Sequence, residues 1–260
     1  MVAMVSRSLA EVLGVHRDSR IAAIGGGGKM PLLLALGSAW AKTGGRPLLV
    51  PTTRLANHAE RGVPGVRTVV LPAARSAWPP VVFLGGEVLV VTRRGEQPNV
   101  LEAIHPGEIT ALAEQSKADL VLIKADGARG RSLKAHDADE PVLPLDTGLV
   151  VAVAGIDAWG SPLDAEHVHH DVLFGERWAI APGARLEDDA FYAALADPAG
   201  YRASVPSGSR YMVFLNKVDR PVRLAVAQRL AHGLHERGVG EVAWGDVARG
   251  EWTVSRRGGR

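Results

Sequence analysis

The residues best suited to chemistry are four consecutive glycines followed by a lysine, Gly25 to Gly28 and Lys29. Glycines let backbone N–H groups converge on phosphate oxygens, and the lysine adds a positive charge. The loop separates a predicted strand (residues 20–24) from a predicted helix (31–42), whose N-terminal end favours anions. This order predicts a phosphate-binding loop formed by Gly25, Gly26, Gly27, Gly28, Lys29 and Met30. The alternative is a glycine-rich turn with an exposed lysine.

The loop departs from the usual pattern G-x-x-x-x-G-K-[ST] at two positions. The first glycine falls on Ala23, and the hydroxyl residue falls on Met30. Because methionine cannot ligate Mg²⁺ as a hydroxyl does, phosphate binding is expected, whereas hydrolysis lacks one of its usual groups. Thr52 and Thr53 follow the predicted strand 47–50 at the carboxyl edge of the sheet and are candidate Mg²⁺ ligands.

An acidic residue follows another apolar run. Asp126 comes shortly after residues 120–123, the position of an aspartate that holds Mg²⁺ or positions water. We therefore predict Lys29 and Asp126 as catalytic residues, with Asp126 also a Mg²⁺ ligand. An ordinary aspartate in a turn before Gly127 is the alternative.

The sequence Asn216-Lys217-Val218-Asp219 follows the apolar run 211–215. In GTPases such a motif binds guanine: the carboxylate accepts hydrogen bonds from the base, and the lysine packs over the ring. Asn216, Lys217 and Asp219 are therefore candidate base-binding residues, and the expected ligand is GTP or ATP with Mg²⁺. The alternative is that Asn216 and Asp219 cap the predicted helix 221–237.

Two further groups of polar residues could contact a ligand. Residues 166–171 contain three histidines and two acids, which suggests a metal site, although a polar start of a surface helix (165–173) is favoured without a third convergent ligand. Basic residues gather in 124–134 and could hold phosphates or an anionic substrate, or form a solvated loop. The candidate anion or substrate contacts are Arg54, Lys124, Arg129, Lys134, His167 and His169.

The elements that position these residues alternate between strands and helices. Further strands are predicted at 66–71, 81–84, 88–92, 119–123, 149–154 and 210–215, and further helices at 107–115, 187–195 and 221–237. Strand, helix and strand within about 30 residues indicate a parallel sheet. Residues 81–92 predict a β-hairpin around Gly85-Gly86, and 125–145 and 198–209 predict long surface loops. The fold class is α/β: one three-layer P-loop-like domain over 1–260, core about 18–245, with a possible antiparallel hairpin addition.

Composition narrows the class of protein. The 260 residues include no cysteine, which excludes disulfides, cysteine-ligated metals and thiol catalysis. A net charge of +2 without a basic block gives no indication of nucleic-acid binding. No apolar run approaches the length of a signal peptide or membrane helix, so a cytoplasmic protein without a membrane partner is expected.

Together these segments resemble the YqeC family, accessory proteins of selenium-dependent molybdenum hydroxylases. The matching stretches are the glycine loop with Lys29 and residues 51–54, 125–130, 133–135, 140–144, 155–160, 162–164, 166–169 and 216–219. The resemblance implies a P-loop nucleotide-binding fold and a role in cofactor maturation, with a molybdenum hydroxylase or a maturation protein as partner. Met30 and Lys124 depart from the family, which usually has Thr or Ser and an acidic residue there.

Three functions remain open from the sequence. The first is a nucleotide-binding accessory protein that acts as an NTPase. The second is a non-hydrolysing scaffold for a nucleotide or a molybdopterin, with Met30 marking a lost metal site. The third is a small-molecule kinase in which residues 124–134 hold the acceptor.

Overall fold

The computed structural model describes residues 8–55, 62–95 and 101–258. Within these ranges the chain forms twelve strands and six α-helices. The strands are β1 Ser19–Gly25, β2 Pro47–Pro51, β3 Val66–Leu71, β4 Val88–Arg94, β5 Leu101–Glu102, β6 Leu120–Lys124, β7 Leu133–Lys134, β8 Leu149–Gly155, β9 Val168–His169, β10 Arg210–Asn216, β11 Glu241–Asp246 and β12 Glu251–Arg256. The helices are α1 Leu9–Leu13, α2 Lys29–Lys42, α3 Pro106–Ser116, α4 Asp171–Trp178, α5 Asp188–Leu195 and α6 Pro221–Glu236.

Ten of the strands form one mostly parallel sheet. Its order is β12-β11-β10-β8-β1-β6-β2-β4-β3, with β5 paired to β4. All neighbours are parallel except β12 on β11 and β5 on β4. The central strand β1 pairs with β8 on one side and β6 on the other, so the segment that follows β1 emerges in the middle of the carboxyl edge. This is the edge where open α/β sheets bind ligands.

Helices cover both faces of the sheet, which confirms the three-layer α/β prediction. Helices α1 and α2 pack on one face in a cluster of buried apolar side chains that includes Leu13, Leu33 and Ile21. Helices α3, α5 and α6 pack on the other face in a second cluster. The near-continuous apolar runs of β6 and β8 are buried because helices cover both faces.

At the amino edge, a buried carboxylate ties α2 to the sheet. Asp119 accepts hydrogen bonds from the backbone N–H of Arg46 (2.6 Å), from Trp40 Nε1 (2.8 Å) and from Arg17 (2.7 Å). Burial disfavours the charged carboxylate, but these donors outweigh it and lower the pKa of Asp119. The contacts fix where α2 ends relative to β6.

The predicted hairpin over residues 81–92 is wrong. Val88–Arg94 forms β4, which pairs in parallel with β3 and β2, and residues 81–84 form no strand. The backbone N–H of Leu84 donates to the Glu87 carboxylate (2.6 Å) instead of to a neighbouring strand. The antiparallel additions to the sheet are β12, beyond the last predicted strand, and the two-residue strand β5 on β4.

The predicted helix 165–173 is also wrong over most of its length. Val168–His169 pairs in parallel with Leu133–Lys134 in a separate two-stranded sheet. His170 then adopts a left-handed conformation with φ 58°, and helix α4 begins at Asp171. The histidine segment is therefore held against residues 133–134 and does not project from a surface helix.

The predicted surface loop 125–145 is partly buried, whereas 198–209 is mostly exposed, as predicted, and is buried only at Gly200 and Tyr201. In 125–145, the buried residues include Asp126, Ser132, Lys134 and His136, and in 198–209 Tyr201 is almost fully buried. The Tyr201 hydroxyl accepts from the backbone N–H of Lys134 (3.0 Å) and donates to its carbonyl oxygen (3.1 Å). Polar and glycine-rich composition indicated exposure, but charges that pair with one another can be buried.

Candidate functional site

The glycine loop and four polar residues follow five neighbouring strands at the carboxyl edge of the sheet. Gly26 follows β1, Thr52 follows β2, Asp126 lies two residues beyond β6, Asp157 two residues beyond β8, and Lys217 follows β10. Because these strands are parallel and adjacent, their ends meet around the N-terminus of α2. The residues predicted from scattered motifs are thus brought to one edge.

The glycine loop is short and tightly packed. Only Gly26 to Gly28 separate β1 from α2. Gly27 has φ 70°, and a Cβ there would lie 2.1 Å from the backbone nitrogen of Gly155. Gly28 has φ 113°, and its Cβ would lie 2.6 Å from Asn216 Nδ2. Glycine is therefore required both by the left-handed backbone and by the close approach of neighbouring segments.

The loop N–H groups divide into two sets. Gly25 donates to Asp126 Oδ2 (2.6 Å), Gly26 to the carbonyl of Val153 (2.9 Å) and Gly27 to the carbonyl of Arg131 (2.8 Å). No described residue accepts from the N–H groups of Gly28, Lys29 and Met30, which form the first turn of α2. The donors that remain for a phosphate are those at the helix N-terminus.

Lys29 and Asp126 form a buried ion pair next to this turn. Lys29 Nζ lies 2.8 Å from Asp126 Oδ1 and also donates to the Gly25 carbonyl. Asp126 Oδ2 accepts from His136 Nε2 at 2.6 Å. Burial disfavours ionisation of Asp126, but Lys29 and His136 outweigh it, so the pKa of this carboxyl is well below its usual range. Burial lowers the pKa of Lys29, while Asp126 opposes that shift.

A second buried pair lies beside the first. Lys134 has no exposed surface and contacts the Glu140 carboxylate, and its Nζ donates to the Gly127 carbonyl at 2.5 Å. Glu140 also accepts from the Gly127 N–H at 2.9 Å. Lys134 Nζ lies 3.7 Å from Asp126 Oδ2, which joins the two pairs into one network. This network replaces solvent around the buried part of the segment, residues 125, 126, 128 and 132–136, and accounts for its burial.

Lys124 has a different environment. Its Nζ donates to the backbone carbonyl of Asp126 (2.7 Å) and to Thr53 Oγ1 (3.3 Å). Burial and the nearby charge of Lys29 lower the pKa of Lys124 to about 8. Thr52 is buried, and its hydroxyl donates to the Val142 carbonyl at 2.7 Å, so it links β2 to the 125–145 segment.

These side chains do not fit a resident Mg²⁺. The oxygens of Asp126 already face Lys29, His136 and Lys134, and Thr53 lies beside the Lys124 ammonium group. Met30 packs into the apolar cluster beneath α2. A divalent cation requires several free oxygen ligands, and the predicted set offers none without rearrangement. Among the described residues, no group of three or more His, Asp or Glu side chains could hold a metal ion.

The structure places the predicted base-binding residues in other contacts. Asn216 donates to the Gly27 carbonyl (2.7 Å) and accepts from the Val247 N–H (3.1 Å), so it braces the glycine loop. Lys217 Nζ contacts Ser132 Oγ (2.7 Å) and Asp157 Oδ2 (2.8 Å). Asp219 pairs with two arginines of its own segment, Arg220 and Arg223. Guanine recognition by this motif stays a prediction.

The remaining candidate contacts lie at the rim. Arg54 is exposed and pairs with Glu102, and Arg129 is exposed. His167 Nδ1 contacts Asp164 at 2.7 Å. His169 stands in register with Lys134 across β9 and β7, and burial together with His170 and Lys134 lowers its pKa to about 4. These four residues stay outside the network around Asp126.

Several residues of the site were not singled out from the sequence. His136 and Glu140 belong to the network and Tyr201 contacts the backbone of Lys134, while Ser132 and Asp157 contact Lys217. Glu140 and Asp157 lie in stretches that carry the family resemblance, and that was the available signal. His136 and Tyr201 had none, because each is brought to the site by a segment of irregular structure.

The fold and the site define an α/β protein with a glycine loop and a buried Lys–Asp pair at the carboxyl edge of a parallel sheet. The family model described as YqeC protein matches residues 21–171, and the chain belongs to that family. It is also 28% identical over 232 residues to the uncharacterized protein YqeC of Escherichia coli (strain K12), which covers 89% of this chain and 88% of that relative. No solved structure matches. No helix among the described residues is long and apolar enough to cross a membrane.

Proposed function

We propose that this protein is a nucleotide-binding accessory protein that holds the phosphates of GTP or ATP at the N-terminus of α2. The observation that carries the proposal is the first turn of α2, where the N–H groups of Gly28, Lys29 and Met30 lack an acceptor among the described residues. These donors and the helix dipole favour an anion. The buried side chain of Lys29 can add its positive charge when a ligand competes with Asp126 for the ammonium group.

The arrangement favours binding over rapid hydrolysis. Met30 is 6% exposed and packs in the core, so position 30 offers no oxygen to a metal. The carboxylate of Asp126 already pairs with Lys29 and accepts hydrogen bonds from His136 and the Gly25 N–H, so it is not free to orient water. A phosphate-holding scaffold with slow turnover is the form of the function that this packing supports. The kinase alternative stays a prediction.

The process in which we place this activity is the maturation of a selenium-dependent molybdenum hydroxylase or of its cofactor. This assignment rests on the family resemblance, and it makes a molybdenum hydroxylase or a maturation protein the expected partner. A molybdopterin nucleotide contains phosphate oxygens, as GTP and ATP do, so the helix N-terminus suits all three ligands.

Calorimetric titration with GTP, ATP and molybdopterin nucleotides, each with and without Mg²⁺, tests the proposal. We expect at least one of them to bind, and Lys29→Met to weaken that binding about tenfold or more because a charge-assisted contact is lost. Lys42→Met is the matched control, since Lys42 is exposed in the last turn of the same helix. Thermal unfolding of each variant confirms that it is folded.

Two results would argue against the proposal. Wild-type protein that binds none of these ligands excludes a phosphate site at α2. Equal weakening by Lys29→Met and Lys42→Met places the binding elsewhere on the chain. Phosphate release measured on the same samples separates a slow scaffold from an efficient NTPase.

A further inference from the structure

The charges around Asp126 do not balance. Three lysines meet two carboxylates at this edge of the sheet: Lys29 pairs with Asp126 and Lys134 with Glu140. Among the described residues, no carboxylate lies within ion-pair distance of Lys124, which contacts only neutral oxygens. An ammonium group held partly out of water is stabilised by an opposite charge. An anionic ligand next to Lys124 would supply that charge.

Lys124 and Thr53 together offer two unused donors. An ammonium group has three protons, and the described contacts of Lys124 use two of them, on Asp126 and Thr53. Thr53 Oγ1 accepts from Lys124, and no described residue accepts the Thr53 hydroxyl proton. Both side chains are partly exposed. A pair that presents one N–H and one O–H suits an oxyanion.

This pair lies close to the N-terminus of α2. Lys124 stands in register with Ala23 of β1 and Pro51 of β2, and neighbouring strands lie about 4.8 Å apart. Lys124 contacts the carbonyl of Asp126, while Lys29 contacts the carboxylate of the same residue. Two anionic groups of one small ligand can therefore reach both positions.

We infer that Lys124 and Thr53 form a second oxyanion position, so that the ligand carries at least two phosphate groups, one at the N-terminus of α2 and one on this pair. The inference rests on the proposed function for the first position and adds the residues that hold a second phosphate, which requires a nucleoside diphosphate or triphosphate and disfavours a monophosphate. A Mg²⁺ ion at Thr53 is disfavoured because the hydroxyl already faces an ammonium group at 3.3 Å. The alternative is that the hydrogen bond between Lys124 and Thr53 only links β6 to the residues after β2 and binds no ligand. The experiment must distinguish this alternative from the proposed phosphate position.

The test compares AMP, ADP and inorganic pyrophosphate by calorimetry on the full chain. For wild-type protein, ADP and pyrophosphate are expected to bind more tightly than AMP. Lys124→Met is expected to weaken ADP and pyrophosphate about tenfold or more and to leave AMP unchanged, because only the second phosphate loses its partner. Thr53→Val keeps the side-chain shape and is expected to weaken the same two ligands by about threefold to tenfold. Lys42→Met is the control.

The outcomes separate this inference from the proposed function. If Lys124→Met and Thr53→Val bind ADP and pyrophosphate as the wild type does, the second position is overturned and nucleotide binding stands. If Lys124→Met weakens AMP as much as ADP, Lys124 belongs to the first position and the inference is also overturned. If the wild type binds none of AMP, ADP and pyrophosphate, the second position is overturned, and the titrations with GTP, ATP and molybdopterin nucleotides decide the proposed function separately. Should Lys124→Met fail to fold, the Thr53→Val series decides.

Discussion

Asp126→Asn keeps the shape of the side chain and removes the charge that Lys29 faces in the buried network. Removing one partner of a buried ion pair costs about 3–5 kcal/mol of folding free energy. Lys134 retains its own partner Glu140, so mainly Lys29 is left without an opposite charge. The loss of folding free energy should therefore lie near the lower end of this range, about 3 kcal/mol. Gly25 and His136 both donate to Oδ2, so the amide oxygen can keep these two hydrogen bonds, which turns the amide nitrogen toward the Lys29 ammonium group.

Urea denaturation at neutral pH measures this loss as a difference in unfolding free energy. The matched control is Asp146→Asn, whose carboxylate is 53% exposed and pairs with Arg20 at the surface. That change should cost less than about 1 kcal/mol. The reasoning is refuted if Asp126→Asn falls within about 1 kcal/mol of the wild type, because the buried charge would then contribute little.

The same variant has a defined pH dependence. Because the pKa of Asp126 is lowered in the folded state, its stabilising effect is present above the unfolded value of about 3.9 and is lost as pH falls toward the folded value. The difference between wild type and Asp126→Asn should therefore shrink below about pH 4. A difference that stays constant down to pH 3 would show that the charge of Asp126 is not responsible.

Three further changes test the packing around the site. Asp119→Asn removes the charge that accepts three hydrogen bonds at the amino edge and should lower the unfolding free energy by about 2 kcal/mol at neutral pH, less below pH 4, in the same urea assay. Gly27→Ala should prevent folding or lower the unfolding free energy by several kcal/mol, because the new Cβ would meet the Gly155 nitrogen. The control is Gly130→Ala, since Gly130 is also left-handed but has open space around it. That change should lower the stability measured by thermal unfolding by only about 1–2 kcal/mol. Met30→Thr should lower the unfolding free energy by about 1–3 kcal/mol through lost apolar contact, and a phosphate-release assay that finds faster turnover in this variant would support a lost metal-binding hydroxyl.

Much of the sheet could be predicted because its signals are local. The runs that became β1, β6, β8 and β10 are short and apolar and are followed by turn residues, and each was predicted within one or two residues of its bounds. The glycine loop was predictable for the same reason. The hairpin at 81–92 was wrong because the Glu87 carboxylate, and not a neighbouring strand, satisfies the backbone of Leu84.

The site itself was predicted only in part. The sequence indicated Lys29 and Asp126, since each follows a strand that had been recognised, and it indicated Lys124 as part of the basic segment 124–134. It did not indicate that His136 and Glu140 would join them, because a polar segment was expected to be exposed. Burial of that segment depends on pairings such as Lys134 with Glu140 and on the hydroxyl of Tyr201, which lies 67 residues further along the chain.

By itself the sequence determined a parallel α/β sheet with a glycine loop and a lysine at its carboxyl edge, because apolar periodicity and glycine spacing act over a few residues. Tertiary structure alone decided which donors of that loop remain for a ligand. The N–H groups of Gly25 and Gly27 are taken by Asp126 and by the Arg131 carbonyl, more than 100 residues away in each case. Such partners are chosen by how the strands and their connections come together in space. No local pattern of residue types encodes them, and they shift the predicted phosphate site from the loop to the first turn of α2.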